Sequence, residues 1–281
     1  MKYEIYQIDK QTYQIRYYFL SVADVYSYLL IGEDKAMLID CTYAGAPIKQ
    51  IVDSLTNKPV FVACSHGHFD HIGCASLFEE AYLSKSDFEV AKLNCDYIES
   101  SKRNKHILNK RPAMKLLLLN RKLAKELEQS CHIGTIKFND WPENMKFDLG
   151  NRVISILPCP GHTKGSVVFY DETNGYLFTA DSICSKGVLL GFEESTSLLE
   201  YKESILKLKQ FCQNNTIKSI FPGHHTPILD TSMIDQYLNL IEMIEKKEVK
   251  NVYTDNGTCS GYCANDGEIK IVYKNIYGKN I

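Results

Sequence analysis

The sequence predicts a layered α/β fold, and three observations lead to that prediction. The first forty residues contain four stretches rich in Tyr, Ile, Val and Leu, which are typical of strands. A helix and a continuously apolar strand follow, and further strands and helices then succeed one another along the chain. The chain has 281 residues, of which 44% are hydrophobic and 23% charged, so a sizeable buried core is expected.

The elements of the N-terminal half follow from periodicity and turn residues. The four strands are KYEIYQI, TYQIRYYFL, VYSYLLIG and KAMLIDC. A helix is predicted over 47–55, because Pro47 suits a first helical turn. The run PVFVACS predicts a strand buried on both faces. Residues 84–130 carry strong helix formers at helical spacing and predict a helical insertion.

The C-terminal half predicts shorter strands at IGTIKF, NRVISIL, GSVVFY and GYLFTA. Helices are predicted over 197–214 and 231–247, with a strand at 218–221 between them. The tail, 249–281, predicts a hairpin extension that ends in the strand GEIKIVYK. Since no linker rich in Pro, Gly or Ser interrupts the chain, we expect residues 1–281 to form a single domain.

Composition narrows the classes of function. A formal net charge of −2 gives no global reason to expect nucleic-acid binding. The sequence contains no run of eighteen apolar residues, so no membrane span is predicted. The N-terminus lacks the apolar segment of a signal peptide. We therefore expect a cytoplasmic protein that starts near Met1. Its ten cysteines are expected to be reduced, with Cys259 and Cys263 as a close pair that forms either a surface loop or a metal or redox site.

The strongest chemical signal is the sequence SHGHFDHIG at the end of an apolar strand. Its imidazoles and carboxylate are the ligands that zinc and similar divalent cations prefer. In an extended segment His66 and His68 point to the same side, whereas Asp70 and His71 share an ion only if the chain bends after His68. Four potential ligands in six residues exceed the needs of one tetrahedral ion and favour two ions. The alternative is a polar loop whose histidines only make hydrogen bonds.

Three later residues follow predicted strands in the same manner. His162 lies in CPGHTKGS, Asp181 in LFTADS and His224 in SIFPGHHTP. Each is a weak signal alone, and Asp181 is equally suited to capping a helix or turn. Because loops at one edge of a sheet can converge, their recurrence at strand ends predicts a common pocket.

In this order, the motifs HxHxDH, PGHT, a lone aspartate and GH resemble the metallo-β-lactamase superfamily. The resemblance implies a four-layer αβ/βα sandwich and two divalent metal ions, by default zinc, although iron and manganese accept similar ligands. It further implies ligand sets of His66, His68 and His162 for one ion, and Asp70, His71 and His224 for the other, with Asp181 bridging them. His225, next to His224, stays open as a group that faces substrate or supports a ligand.

The same resemblance implies hydrolysis by a metal-bound hydroxide, with Asp70 as the catalytic residue that orients it and passes on its proton. Asp40 is a candidate for fixing an imidazole tautomer, or else a turn former. Tyr43 is suited either to packing or to assisting an oxyanion, and Lys164 either to solvent or to an anionic substrate.

The form PGHTxGS resembles the glyoxalase II and general hydrolase branches more than true β-lactamases, which predicts a small ester, thioester or lactone as substrate. Three alternatives stay open: a phosphodiesterase or RNA-processing hydrolase, a mononuclear-iron sulfur dioxygenase, and a non-enzymatic binding module. The only support for RNA is a basic excess in 84–130, with eleven Lys/Arg against six Asp/Glu. The insertion is expected to cover the site or to form a homodimer surface.

Overall fold

The structure is a computed structural model that describes residues 2–21 and 23–277. Met1, Val22 and residues 278–281 lie outside the described residues, and with them the predicted start of the chain and the last residues of the tail extension. The chain divides into two compact units, Met1–Ile154 and Ser155–Ile281. The single domain over 1–281 stays a prediction, and each unit is described separately.

The first unit combines a six-stranded sheet with helices. The strand order is β1-β2-β3-β4-β5-β6, antiparallel from β1 to β4 and parallel from β4 to β6. The strands are β1 (Lys2–Asp9), β2 (Thr12–Phe19), β3 (Ala23–Ile31), β4 (Ala36–Ile39), β5 (Val60–Ala63) and β6 (Ala81–Tyr82), and a short β7 (Lys146–Asp148) follows later. The helices are α1 (Ile48–Leu55), α2 (Phe69–Ile72), α3 (Phe88–Cys95), α4 (Tyr97–Lys110), α5 (Pro112–Leu117) and α6 (Arg121–Gln129).

The predicted elements of this unit are confirmed, with one exception. All four residues of β4 are buried, as expected for a short apolar strand between two neighbours. The helical insertion predicted over 84–130 appears as α3 to α6, with Asp96 capping α4 and Pro112 in the first turn of α5. The strand predicted at IGTIKF is wrong, because residues 133–138 are irregular and pairing with β6 is limited to one bridge between Asn139 and Tyr82. Its apolar side chains Ile133, Ile136 and Phe138 instead pack on the core of the unit.

The second unit contains two sheets. In one, β12-β10-β9-β8 lie side by side, and in the other the order is β11-β15-β14-β13. The strands are β8 (Val153–Pro158), β9 (Val167–Asp171), β10 (Tyr176–Ala180), β11 (Gly187–Leu190), β12 (Ser219–Pro222), β13 (Val252–Asp255), β14 (Ser260–Asp266) and β15 (Ile269–Tyr273), and β8 begins at the end of the first unit. The helices are α7 (Leu198–Asn214) and α8 (Ser232–Glu245).

The predicted helices and strands of this second unit are confirmed, and the tail hairpin is the antiparallel pair β14 and β15. Ser197 and Glu200 form a capping box that begins α7. Strands β11 and β13 were not predicted from the sequence. The α/β fold class is therefore confirmed. Within the described residues, no helix combines the length and apolar character needed to cross a bilayer.

Gly73, which follows α2, sets the spacing between the segment SHGHFDHIG and the loop after β4. A Cβ atom at this position would lie 2.3 Å from Ala44 N and 2.4 Å from Thr42 O. Because both are backbone atoms, Gly73→Ala is expected to lower the free energy of unfolding by about 1–3 kcal/mol, measured by urea denaturation. Gly134→Ala is the matched control, since its Cβ would meet only the Ser76 side chain. Equal unfolding midpoints for the two variants would contradict this close-packing role.

Candidate metal centre

The first group of candidate ligands, here the N-terminal cluster, comprises His66, His68, Asp70 and His71. It occupies the segment between β5 and the end of α2, and α2 begins immediately after His68, which supplies the expected bend. The ring centroid of His66 lies 4.8 Å from that of His68 and 4.1 Å from that of His71. Nε2 of His71 lies 3.9 Å from Oδ2 of Asp70. The structure therefore brings three imidazoles and one carboxylate of this unit together.

Asp40 organises the N-terminal cluster from the end of β4. Its Oδ1 accepts a hydrogen bond from Ser65 N at 2.7 Å, and its Oδ2 accepts one from Ser65 Oγ at 2.9 Å. The same Oδ2 lies 2.7 Å from Nδ1 of His71, and Ser65 Oγ lies 3.0 Å from Nδ1 of His66. Asp40, Ser65, His66 and His71 are all almost completely buried. One carboxylate thus contacts His71 directly and His66 through a serine hydroxyl.

This network dictates which nitrogen of each imidazole carries the proton. A carboxylate oxygen only accepts, so Nδ1 of His71 must donate to Asp40. Ser65 Oγ donates to Asp40, so its lone pairs are directed to accept from Nδ1 of His66. In the neutral form, both rings then present the lone pair of Nε2, the form in which imidazole binds a metal ion.

The second group, here the C-terminal cluster, comprises His162, Asp181 and His224. Each residue follows a strand, β8, β10 and β12 respectively. Asp181 Oδ2 lies 3.4 Å from Nε2 of His162, and its Oδ1 lies 3.2 Å from Nε2 of His224. The two oxygens of one carboxylate therefore face two different imidazoles.

The distances in the C-terminal cluster suit metal ligation. Nδ1 of His162 lies 2.7 Å from the carbonyl oxygen of Leu189, so Nδ1 donates and the lone pair of neutral His162 is on Nε2. That lone pair faces the Asp181 carboxylate, an arrangement that a cation between the two groups would stabilise. Two ligands of a tetrahedral ion at ~2.1 Å are ~3.4 Å apart, which matches the observed spacing. The donor set fits a divalent ion of the zinc type.

Unusual backbone conformations occur beside both clusters. Asp40 has a φ of 56° and Ala180, directly before Asp181, has a φ of 43°. His225, directly after His224, has a φ of 71°. Residues other than glycine seldom adopt this left-handed region, and such conformations concentrate at functional sites. In this protein they set the direction in which the chain leaves β4 and β10.

The other side chains singled out from the sequence are less central. His225 is exposed, and its ring centroid lies 5.9 Å from that of His224. Lys164 is exposed, in agreement with the solvated alternative. Ser166 is buried and accepts a hydrogen bond from Thr163 N, which shapes the turn after His162. Tyr43 is buried and stacks on Phe19 at 4.0 Å, in agreement with a packing role.

The cysteines have the environment of packing residues. All ten are free thiols, and seven are buried. Burial raises the pKa of Cys74 to about 12 and that of Cys159 to about 11, which suppresses the reactive thiolate. Cys259 is buried, whereas Cys263 belongs to strand β14 rather than to a loop.

Sequence reasoning missed two supports of the N-terminal cluster. Ser65 carries the link from Asp40 to His66, and its position directly before His66 was the available signal. Asp87 is fully buried, and its Oδ2 accepts a hydrogen bond from Gly67 N at 2.9 Å. A Cβ on Gly67 would lie 3.0 Å from the Asp87 carbonyl oxygen. Gly67 therefore allows the insertion to approach closely, and nothing in the local sequence indicated that contact.

Buried and partly buried imidazoles and carboxylates at strand ends of an α/β protein define a candidate metal-dependent enzyme, and comparison with known proteins agrees. The profile of the family described as "Metallo-beta-lactamase superfamily" matches residues 20–83. A "Probable metallo-hydrolase" of Methanocaldococcus jannaschii is 27% identical over 202 residues, which cover 70% of this chain and 86% of the relative. An "Acyl-coenzyme A thioesterase" of Gallus gallus is 22% identical over 215 residues, covering 70% of this chain and 71% of the relative.

Among solved structures, a metallo-beta-lactamase from Pontibacter korlensis matches with a TM-score of 0.61 and 18% identity, covering 86% of this chain and 99% of that one. At this sequence identity the match supports a conclusion about the fold only, and it confirms the predicted fold type. The sequence matches show that the chain is similar to the metallo-β-lactamase superfamily, whose profile covers residues 20–83, and to metal-dependent hydrolases. The prediction of a metal-dependent hydrolase is confirmed at that general level.

Proposed function

We propose that the protein is a dinuclear metal-dependent hydrolase of small acyl substrates, with thioesters first and esters and lactones next. The proposed ligand sets are His66, His68 and His162 for one ion and Asp70, His71 and His224 for the other, with Asp181 shared. Zinc is the proposed metal, because imidazole and carboxylate donors suit it. The proposed location is the cytoplasm.

The observation that carries this proposal is the position of Asp181 in the C-terminal cluster. Its two oxygens lie 3.4 and 3.2 Å from Nε2 atoms of two different histidines. A carboxylate placed in this way is suited to bridging two cations, whereas a carboxylate serving a single ion would need only one of those contacts. The N-terminal cluster supports the same conclusion, because Asp40 and Ser65 hold two imidazoles in the metal-binding tautomer.

The protein side chains would have defined tasks in such a reaction. Divalent ions, when bound, supply Lewis acidity and bring the pKa of water from ~15.7 to ~7. Asp70 would orient the attacking water and accept its proton, since its carboxylate belongs to the N-terminal cluster. Asp40 and Ser65 would keep the imidazoles fixed throughout the reaction.

The choice of an acyl substrate is supported by the name of one relative, an acyl-coenzyme A thioesterase. It is also supported by the form PGHTKGS around His162, which resembles the general hydrolase branch. Thioesters are placed first because that relative acts on one.

Elemental analysis of protein purified without added metal tests the proposal. We expect about two equivalents of divalent metal per chain, and metal-dependent hydrolysis of a thioester that a chelator abolishes and that zinc restores. Phosphodiesters and esters tested in parallel provide the comparison. A folded protein that binds no metal after reconstitution would refute the proposal, and a single iron per chain would favour oxygen chemistry instead.

A further inference from the structure

Arg103 of α4, an arginine of the insertion, lies beside the N-terminal cluster. Its guanidinium carbon lies 3.6 Å from the ring centroid of Phe69, the residue between His68 and Asp70. Its Nη1 donates to Asn94 Oδ1 at 2.5 Å. Asn94 in turn donates from Nδ2 to the carbonyl oxygen of Gly67 at 3.2 Å. The guanidinium is thus linked to both sides of His68.

The remaining edge of this guanidinium has nothing to bind. Nε and Nη2 of Arg103 are buried and have no hydrogen-bond partner among residues 2–21 and 23–277. These two nitrogens form the edge whose parallel N–H groups match the two oxygens of a carboxylate or phosphate. Leaving them unsatisfied away from water is unfavourable, which indicates a group that arrives from outside the chain.

The charges around Arg103 also favour binding of an anionic group. Burial lowers the pKa of Arg103 to about 10, and the negative charge of Asp70 opposes that change. The group therefore stays cationic at neutral pH. No carboxylate of the described residues makes a salt bridge with Arg103. Asp70 is the carboxylate whose charge acts most strongly on Arg103. A metal ion bound to Asp70 would neutralise that charge and leave the arginine available to another anion.

We propose that Arg103 binds an anionic oxygen group, a carboxylate or a phosphate, of the substrate hydrolysed at the N-terminal cluster. The proposal rests on the proposed function and narrows its substrate class to acyl compounds that carry such a group. Phe69 stacks on the guanidinium and Asn94 fixes its other edge, so the binding edge is held in one orientation.

The experiment compares three thioesters of a four-carbon acyl group. The first is the butanoyl thioester of N-acetylcysteamine, which is neutral. The second is the succinyl thioester of N-acetylcysteamine, which carries a carboxylate on its acyl group. The third is butanoyl-coenzyme A, which carries phosphates on its thiol group. Wild type should favour at least one anionic substrate over the neutral one in kcat/KM. Arg103→Met should lower kcat/KM for that substrate by about 10- to 100-fold. It should change kcat/KM for the neutral thioester by less than about twofold. Which substrate is affected distinguishes carboxylate from phosphate.

Arg103→Lys keeps the charge but not the paired N–H edge, so it should recover part of the loss. Arg121→Met, at an exposed arginine of the same insertion, is the matched control and should behave as wild type. Parallel losses on neutral and anionic thioesters would overturn the proposal and assign Arg103 to positioning Phe69 and Asn94. A wild type without any preference for the anionic substrates would also overturn it.

A binding measurement separates this proposal from the proposed function. Succinate and inorganic phosphate are titrated calorimetrically into metal-loaded wild type, Arg103→Met and Arg103→Lys, after circular dichroism and metal content have shown equal folding and loading. Should no thioester be hydrolysed, binding of either anion that weakens about tenfold in Arg103→Met would still support the anion site. Equal binding to wild type and variants would overturn it. Arg103→Lys serves alone if Arg103→Met does not fold.

Discussion

Asp181→Asn is expected to remove most of the bound metal and to lower kcat/KM by roughly 1000-fold or more. This loss exceeds the ~10–100-fold expected when a residue that only hydrogen-bonds to a metal ligand is replaced. The two oxygens of Asp181 face Nε2 atoms of His162 and His224. An amide keeps one oxygen but replaces the other with an NH2 group, which cannot ligate a cation. Elemental analysis and thioester kinetics on the same preparation measure the effect.

Asp266→Asn is the matched control for Asp181→Asn, because Asp266 is an exposed aspartate of the same unit. It should retain the wild-type metal content and rate. Circular dichroism must show that Asp181→Asn is folded, so that loss of metal is not a consequence of unfolding. If Asp181→Asn retained both metal equivalents and its activity, the bridging role would be wrong.

Asp40→Asn has the second largest expected effect, a loss of metal affinity of about 10- to 100-fold. The carboxylate accepts from Ser65 N and Ser65 Oγ and from Nδ1 of His71. An asparagine has one acceptor oxygen, so its NH2 group must face either Ser65 N or the pair of Ser65 Oγ and His71. In the second orientation His71 must accept at Nδ1, and its proton moves to Nε2, where the metal should bind.

Metal competition with a chromophoric chelator measures the affinity of Asp40→Asn. Ser65→Ala provides the comparison, because it removes the link to His66 but leaves the contact between Asp40 and His71 intact. We expect Ser65→Ala to lose less affinity than Asp40→Asn. The reverse order would mean that the tautomer of His66 matters more than that of His71.

Most of the secondary structure was predictable because its signals are local. Apolar runs such as PVFVACS and helix formers in 84–130 depend on neighbours within a few residues, and both predictions are confirmed. IGTIKF failed because a short run that contains Ile and Phe also suits an irregular segment that packs Ile133 and Ile136 on a core. Whether such a segment pairs depends on a partner strand that no local pattern reveals.

The inventory of candidate ligands was likewise local, since each follows a strand in a recognisable motif. His66, His68 and His71 lie within six residues of one another, and the short separation explains why their proximity was predictable. The C-terminal cluster was less certain, because Asp181 suited a cap equally well. Its contacts with His162 and His224 join residues that are far apart in the chain.

The amino-acid sequence was therefore sufficient for the α/β class, the succession of elements and the types of ligand, which depend on short-range patterns and side-chain chemistry. The fold settles which atoms meet. The Asp40 to His71 contact spans 31 residues and the His162 to Leu189 contact spans 27. Arg103 reaches Phe69 from a separate helix. Proton positions and an unsatisfied guanidinium edge arise from such long-range packing, because burial and hydrogen-bond direction exist only once distant segments are in contact.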